Sequence, residues 1–193
     1  MKIQTIAEKF YGENCYAVSD GISNECAVID PASPEVVKEL RKFSLEPKFI
    51  LLTHGHFDHI AGTDALAEAY GIPVYVHKDD AELLTDGYKN ASSLLIGTDV
   101  VVKAKAIALN GGDALSLGSL EFKAVHTPGH TRGCVCYFCG DAVFTGDTVF
   151  AYDRGRTDLY SGDEAAIVES IQTLIPMLSG KTIYPGHGPA RKF

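Results

Sequence analysis

The chain has 193 residues, 46% of them hydrophobic, which suffices for one substantial core and is short for two independent ones. Its formal net charge of −8 excludes a chain-wide basic footprint for nucleic acid. The longest apolar stretches, such as Phe49-Ile50-Leu51-Leu52, are strand-length, and the start Met1-Lys2-Ile3-Gln4-Thr5 lacks an apolar core before a small-residue cleavage site, so no membrane span, no signal peptide and a cytoplasmic location are expected.

In chain order, Cys15 to Ser19 and Cys26 to Asp30 read as paired strands around the turn Asp20-Gly21. A helix follows, with Ser33 as N-cap, Pro34 at its first position and Val36, Val37, Leu40 and Phe43 at helical spacing. Lys48 to Thr53 is a buried strand, and a histidine-rich segment comes directly after it. Thr63 to Tyr70 reads as a helix stopped by Gly71 and Pro73. Val74 to Val76 is a short strand, and the stretch from Asp86 to Lys105 has no clear period. Leu115 to Leu117 and Leu120 to Val125 flank Gly118-Ser119 as a hairpin. Val135 to Phe138 and Ala142 to Thr145 are strands. A last helix opens at Ser161-Gly162-Asp163-Glu164, a capping-box pattern, and Lys181 to Tyr184 is the final strand. Strands and helices interleave with hairpins among them, which predicts an α/β sandwich with mixed sheets.

Five cysteines are present, an odd number in a chain that is not small, so a disulfide framework is not expected. Cys134, Cys136 and Cys139 fall on a strand, with Cys134 and Cys136 on one face and Val135 and Tyr137 on the other, and no second cysteine pair completes a tetrahedral zinc site.

The chemistry is concentrated in His54-Gly55-His56-Phe57-Asp58-His59. Imidazole and carboxylate at this density suit a divalent transition metal, and a loop at a strand end lets them converge. Three more candidates follow short apolar runs with glycine alongside: His130 in Thr127-Pro128-Gly129-His130, Asp147 in Thr145-Gly146-Asp147 and His187 in Pro185-Gly186-His187. Four strand ends thus deliver seven potential ligands to one edge, where α/β folds gather their ligands. Seven exceed what one zinc takes, so two divalent ions sharing a carboxylate are expected, zinc first, with iron or manganese as alternatives. His126 is a rival to His130, and His77 reads as structural or solvent-facing.

These residues resemble the metallo-β-lactamase superfamily. Gly146-Asp147-Thr148-Val149-Phe150, Gly155-Arg156-Thr157-Asp158 and Pro185-Gly186-His187-Gly188-Pro189 are similar to its glyoxalase II (hydroxyacylglutathione hydrolase) branch. The resemblance spans Asn14-Cys15-Tyr16 to Pro189 and implies a four-layer αβ/βα sandwich of two mixed β-sheets, with the site at one edge. It implies one metal held by His54, His56 and His130, another by Asp58, His59 and His187, and Asp147 as the bridge. Asp30 would brace the ligand loop, Asp58 would also orient the nucleophile, Arg156 would meet a substrate carboxylate, and Asp158 would brace the loop of Arg156. The chain continues only six residues past His187, so the resemblance is to short members with a single domain over residues 1–193 and without the helical C-terminal domain that holds glutathione.

The activity this implies is hydrolysis of a thioester such as S-lactoylglutathione by a metal-bridging hydroxide. Two alternatives share the centre: a lactone or ester hydrolase, and a persulfide dioxygenase-like oxidoreductase with one iron on His54, His130 and Asp147. A scaffold role without catalysis is the reading from another class. The expected partner is a small-molecule thioester or ester, with no nucleic acid and no membrane; the sequence leaves the oligomeric state open.

Overall fold

The computed structural model describes residues 1–7 and 11–193. Among these, the strands form two six-stranded sheets. The first holds β1 (Lys2–Ala7), β2 (Asn14–Ser19), β3 (Glu25–Ile29), β4 (Glu46–Leu51), β5 (Val74–His77) and β6 (Ala106–Leu109), in that spatial order. β1, β2 and β3 run antiparallel, while β3 to β6 are parallel. The second sheet has the order β12, β11, β10, β9, β8, β7, from β7 (Ala114–Leu117), β8 (Leu120–His126), β9 (Val135–Cys139), β10 (Ala142–Gly146), β11 (Thr182–Pro185) and β12 (Arg191–Lys192). It is antiparallel except for the β10–β11 pair.

Side-chain alternation along the strands sorts the apolar residues into three layers. Tyr16, Ile29, Leu51, Phe122, Tyr137 and Phe144 meet between the sheets. Val28, Ile50 and Val76 point the other way, toward helices α1 (Val36–Lys42) and α3 (Thr63–Tyr70) through Leu40 and Leu66. Cys136, Val143 and Ile183 pack on Leu174, at the end of helix α5 (Glu164–Leu174), and on Leu178 in the 3-10 turn that follows. Three apolar layers between four structural layers make the αβ/βα sandwich. The cysteines of β9 divide by the same alternation: Cys136 faces α5 and Cys139 lies between the sheets. Burial pushes both thiols up to about 11, so they are neutral packing groups.

α3 runs from Thr63 to Tyr70 and is closed by Gly71 at φ +65°, as the sequence predicts. Two local expectations fail. Ser33 does not cap α1, whose N-cap is Glu35 without a side-chain bond; Ser33 instead opens the preceding turn by accepting from the Val36 amide (3.1 Å). α5 is capped by Asp163, which accepts from the Ala166 amide, so the Ser161–Glu164 capping box does not form. The shorter carboxylate two residues later reaches the free amides while Ser161 sits at φ +62°. A 3-10 segment over Lys78–Thr85 follows β5, and within the stretch from Asp86 to Lys105, which shows no clear period, Ser92–Ile96 forms a short helix α4. Among the described residues, no helix is long and apolar enough to cross a membrane.

The layer between the sheets is expected to dominate stability. Phe144 is fully buried there, with the rings of Tyr16 and Tyr184 each 5.4 Å away. Phe144→Ala should cost about 3–5 kcal/mol in urea unfolding. Ile22, 88% exposed, should tolerate alanine within about 0.5 kcal/mol.

Candidate metal centre

All seven predicted ligands gather at one edge of the sandwich. β4 ends at Leu51 and leads into His54, His56 and the short helix α2 (Phe57–Ile60), which carries Asp58 and His59. His130 follows β8, Asp147 follows β10 and His187 follows β11. Backbone bonds lock these loops together: the Val135 amide donates to Thr53 (2.9 Å), Gly186 to Gly146 (2.8 Å) and Asn14 to Gly186 (2.7 Å). Asn14 Nδ2 also donates to the carbonyls of Pro185 (3.1 Å) and Gly188 (2.8 Å), fixing the turn that carries His187. A side chain at Gly186 would collide with Asp147 and His59, so only glycine lets the strand ends approach this closely.

Among the described residues at this edge, donor atoms close enough to share a cation belong to His54, His56 and His130, to Asp58, His59 and His187, and to Asp30 with His54 and His59. The Asp147 carboxylate lies between the first two triads. Its Oδ2 is 3.5 Å from His130 Nε2 and 3.6 Å from His187 Nε2, and its Oδ1 is 3.4 Å from His59 Nε2.

The neighbouring hydrogen bonds aim the imidazole lone pairs. Asp30 Oδ1 accepts from the Thr53 amide (2.7 Å) and Oδ2 from the Thr53 hydroxyl (2.6 Å). With its proton given to Asp30, the Thr53 oxygen accepts from His54 Nδ1 (3.1 Å), which leaves His54 Nε2 as a lone pair. His59 Nδ1 donates to Asp30 Oδ2 (3.0 Å), which leaves Nε2 as the nitrogen facing the centre; burial lowers the pKa of this ring, but Asp147, Asp58 and Asp30 raise it well above the ordinary imidazole value, so a cation at Nε2 takes the place of a proton. His130 Nδ1 donates to the Arg156 carbonyl (2.7 Å), which turns the His130 Nε2 lone pair toward His56 Nδ1, 2.8 Å away. Asp30 holds φ +50°, a conformation that aspartate tolerates better than most residues.

His54 Nε2, His59 Nε2 and Asp147 Oδ1 are buried without a hydrogen-bond partner. Orphaned buried polar atoms are costly. Their convergence fits one or two divalent cations, and imidazole with carboxylate suits zinc, iron or manganese. Burial, then the neighbouring histidines, holds His54 and His56 well below the ordinary imidazole value, so both are neutral electron-pair donors. Burial raises the Asp58 carboxyl, but His59 and His187 more than reverse this and keep it ionised.

Two further buried carboxyls belong to this edge and carry no metal-type sequence signature. Glu13, just before β2, has an oxygen 3.6 Å from His59 Nδ1, and burial raises its pKa well above the carboxylate range. Asp80, within Lys78-Asp79-Asp80, reads as surface charge but is fully buried. Its Oδ2 accepts from the Gly55 amide (2.9 Å) and the Thr131 hydroxyl (2.7 Å), and its Oδ1 from the Gly133 amide (2.7 Å). It therefore ties the loop of His54 and His56 to the loop of His130.

Beside the triads is a cleft of about 410 Å³, lined by Phe57, Leu95, Ile96, Phe150 and Leu159 together with Arg156. The Arg156 guanidinium is half exposed and pairs with Asp158 through two bonds of 2.6 and 2.7 Å. His126 lies outside the centre; its Nε2 donates to the Arg132 carbonyl (2.9 Å) and its ring stacks on His77.

The family model described as the metallo-beta-lactamase superfamily matches residues 9–187. A probable metallo-hydrolase of Bacillus subtilis, YqgX, is 34% identical over 179 residues, covering 90% of this chain and 83% of that protein. The hydroxyacylglutathione hydrolase GloC of Haemophilus influenzae is 29% identical over 195 residues, covering 97% and 91%. The more similar of these two relatives has no substrate in its name. Among solved structures, BLEG-1, a B3 metallo-β-lactamase, superposes with a TM-score of 0.91 at 33% identity, covering 98% of this chain and 93% of that one. TTHA1623, solved in a di-iron-bound form, gives 0.83 at 31% identity, covering 98% and 94%.

Asp80→Asn keeps the shape but sets an amide NH₂ against a fixed donor. It is expected to cost about 1–3 kcal/mol in unfolding free energy. Metal affinity, read by chelator competition, should fall about 10–100-fold. If Asp80 only filled space, the isosteric variant would match wild type in both measurements.

Proposed function

Since the chain belongs to the metallo-β-lactamase superfamily, we propose that it is a binuclear metallohydrolase whose substrate is a small-molecule thioester of the hydroxyacylglutathione type. The observation that carries this reading is the position of Asp147, a carboxylate between two complete ligand triads, with His54 Nε2, His59 Nε2 and its own Oδ1 buried without a hydrogen-bond partner. His54, His56 and His130 would hold one ion, Asp58, His59 and His187 the other, and Asp147 both. Both sets being complete favours two ions over the single iron of a dioxygenase-like centre. The identity to GloC supports the thioester, and zinc is the proposed metal; the di-iron form of TTHA1623 supports iron as the alternative.

When bound, two such cations lower the pKa of water and polarise an ester or thioester carbonyl. The chain's own residues supply the rest. Asp58 is ionised and 17% exposed toward the cleft, with His187 Nε2 3.4 Å from its Oδ2, so it can accept a hydrogen bond from a water and orient it. Phe57, Leu95, Ile96 and Phe150 give the cleft an apolar wall beside that point. Asp158 holds the Arg156 guanidinium at the rim, where it can meet a substrate carboxylate. A thiolate leaving group needs no protonation as it departs, so no separate general acid is required. A lactone or other ester could use the same residues.

Metal content and S-lactoylglutathione hydrolysis, measured on wild type and Asp147→Ala from one host, test this directly. Wild type should hold about two divalent ions per chain. The variant should lose at least one of them and its turnover. A single iron in wild type with no thioester turnover would overturn the reading in favour of oxidative chemistry. Arg156→Ala should raise KM about tenfold and leave kcat nearly unchanged, as loss of uniform binding requires.

A further inference from the structure

A second cluster of potential ligands lies outside the centre. His77 ends β5 in the first sheet, His126 ends β8 in the second, and Asp79 follows β5 by two residues. The donor atoms of these three side chains lie within 4.8 Å of one another. The two imidazole rings are stacked, with centroids 4.1 Å apart and planes inclined by 13°. None of the three ligates in the proposed binuclear centre, and none lines its cleft.

The hydrogen bonds around the cluster settle which atoms carry lone pairs. His126 Nε2 faces the Arg132 carbonyl, which can only accept, so Nε2 carries the proton and Nδ1 is the free electron pair of the neutral ring. His77 Nδ1 accepts from the Asp79 amide at 3.3 Å, so it too is unprotonated, and that bond is long. Asp79 Oδ2 is 3.7 Å from the same nitrogen. Burial, then His126, holds His77 below the ordinary imidazole value, which keeps its lone pair available at neutral pH. The Nδ1 atoms of His77 and His126 are thus the unprotonated nitrogens of the two stacked rings, and the Asp79 carboxylate lies beside the first of them. A side chain at Gly111 would press on His126 Cβ, so the absent Cβ makes room for the ring.

We propose that His77, Asp79 and His126 form a separate cation site that bridges the two sheets and takes a borderline divalent metal such as Cu²⁺, Ni²⁺ or Zn²⁺. Two imidazoles and one carboxylate suit these ions, Cu²⁺ most strongly, with water completing the shell on the exposed side. Parallel rings must splay for both lone pairs to reach one ion. His77 is buried and fixed; His126 is exposed and is the ring that turns. An ion held there joins β5, which leads into the segment of Asp80, to β8, which leads into the loop of His130.

Equilibrium dialysis of zinc-loaded protein against Cu²⁺, with electron paramagnetic resonance of the product, tests the site. Wild type should bind one more equivalent of Cu²⁺ than His126→Ala, with hyperfine structure from two imidazole nitrogens. Asp79→Asn, a second surface substitution, should weaken the uptake and keep the two-nitrogen signal. Cu²⁺ should raise the Tm of wild type and not that of His126→Ala, because only the former can be bridged. Equal uptake and the same spectrum in wild type and His126→Ala would overturn the proposal. Because the comparison counts the difference between variants, it stands whether the main centre holds one ion or two.

Discussion

Five imidazoles and two carboxylates are packed at one edge of this sandwich with their electron pairs aimed inward. In water such groups would be solvated separately. Here His54 and His59 are buried, and their Nε2 atoms, like Asp147 Oδ1, have nothing of the protein to bond. Desolvated donors of this kind are tolerated only when something positive satisfies them. The remainder of the architecture works to hold the donors in place against that cost.

Placement comes from stiffness at two levels. The sheets fix where each loop begins, because a one-residue slip of a strand would carry every side chain to the opposite face of its sheet. Buried carboxylates then fix how each ring is turned. Asp30 sets His59 directly and His54 through Thr53, while Asp80 binds the amide beside His54 to the loop of His130. The Arg156 carbonyl does the same for His130. For His54, His59 and His130, the ring nitrogen facing away from the centre thus has a partner that determines which nitrogen faces in, the arrangement that tunes metal sites generally.

The ligand side chains were legible in the sequence because metal chemistry needs particular residue types and sharp turns need glycine. His54-Gly55-His56 and Pro185-Gly186-His187 carry both marks. The long apolar runs made the central strands equally visible. The residues that aim the ligands were harder to see. Asp80 stands in a charged run that reads as solvated surface, and only the fold buries it. Glu13 precedes its strand without any pattern, and the carbonyl of Arg156 is backbone, which any residue would supply. Ser33 and Ser161 have cap chemistry but cap nothing, because local propensity cannot tell which of several polar residues the packing will bring to the first turn. α4 escaped notice because its five residues are too few to show a period.

The ligands are spread from residue 54 to residue 187 and come from both sheets. That spacing has a kinetic consequence. During synthesis, the first loop emerges with His54 and His56 long before β11 exists to position His187. Contacts between such distant segments form late, after loop closure has been achieved. An ion captured early would therefore meet an incomplete ligand set and exchange easily. Tight capture begins only once the last parallel strand has docked on β10, so metal retention reports that the whole chain has reached its final topology.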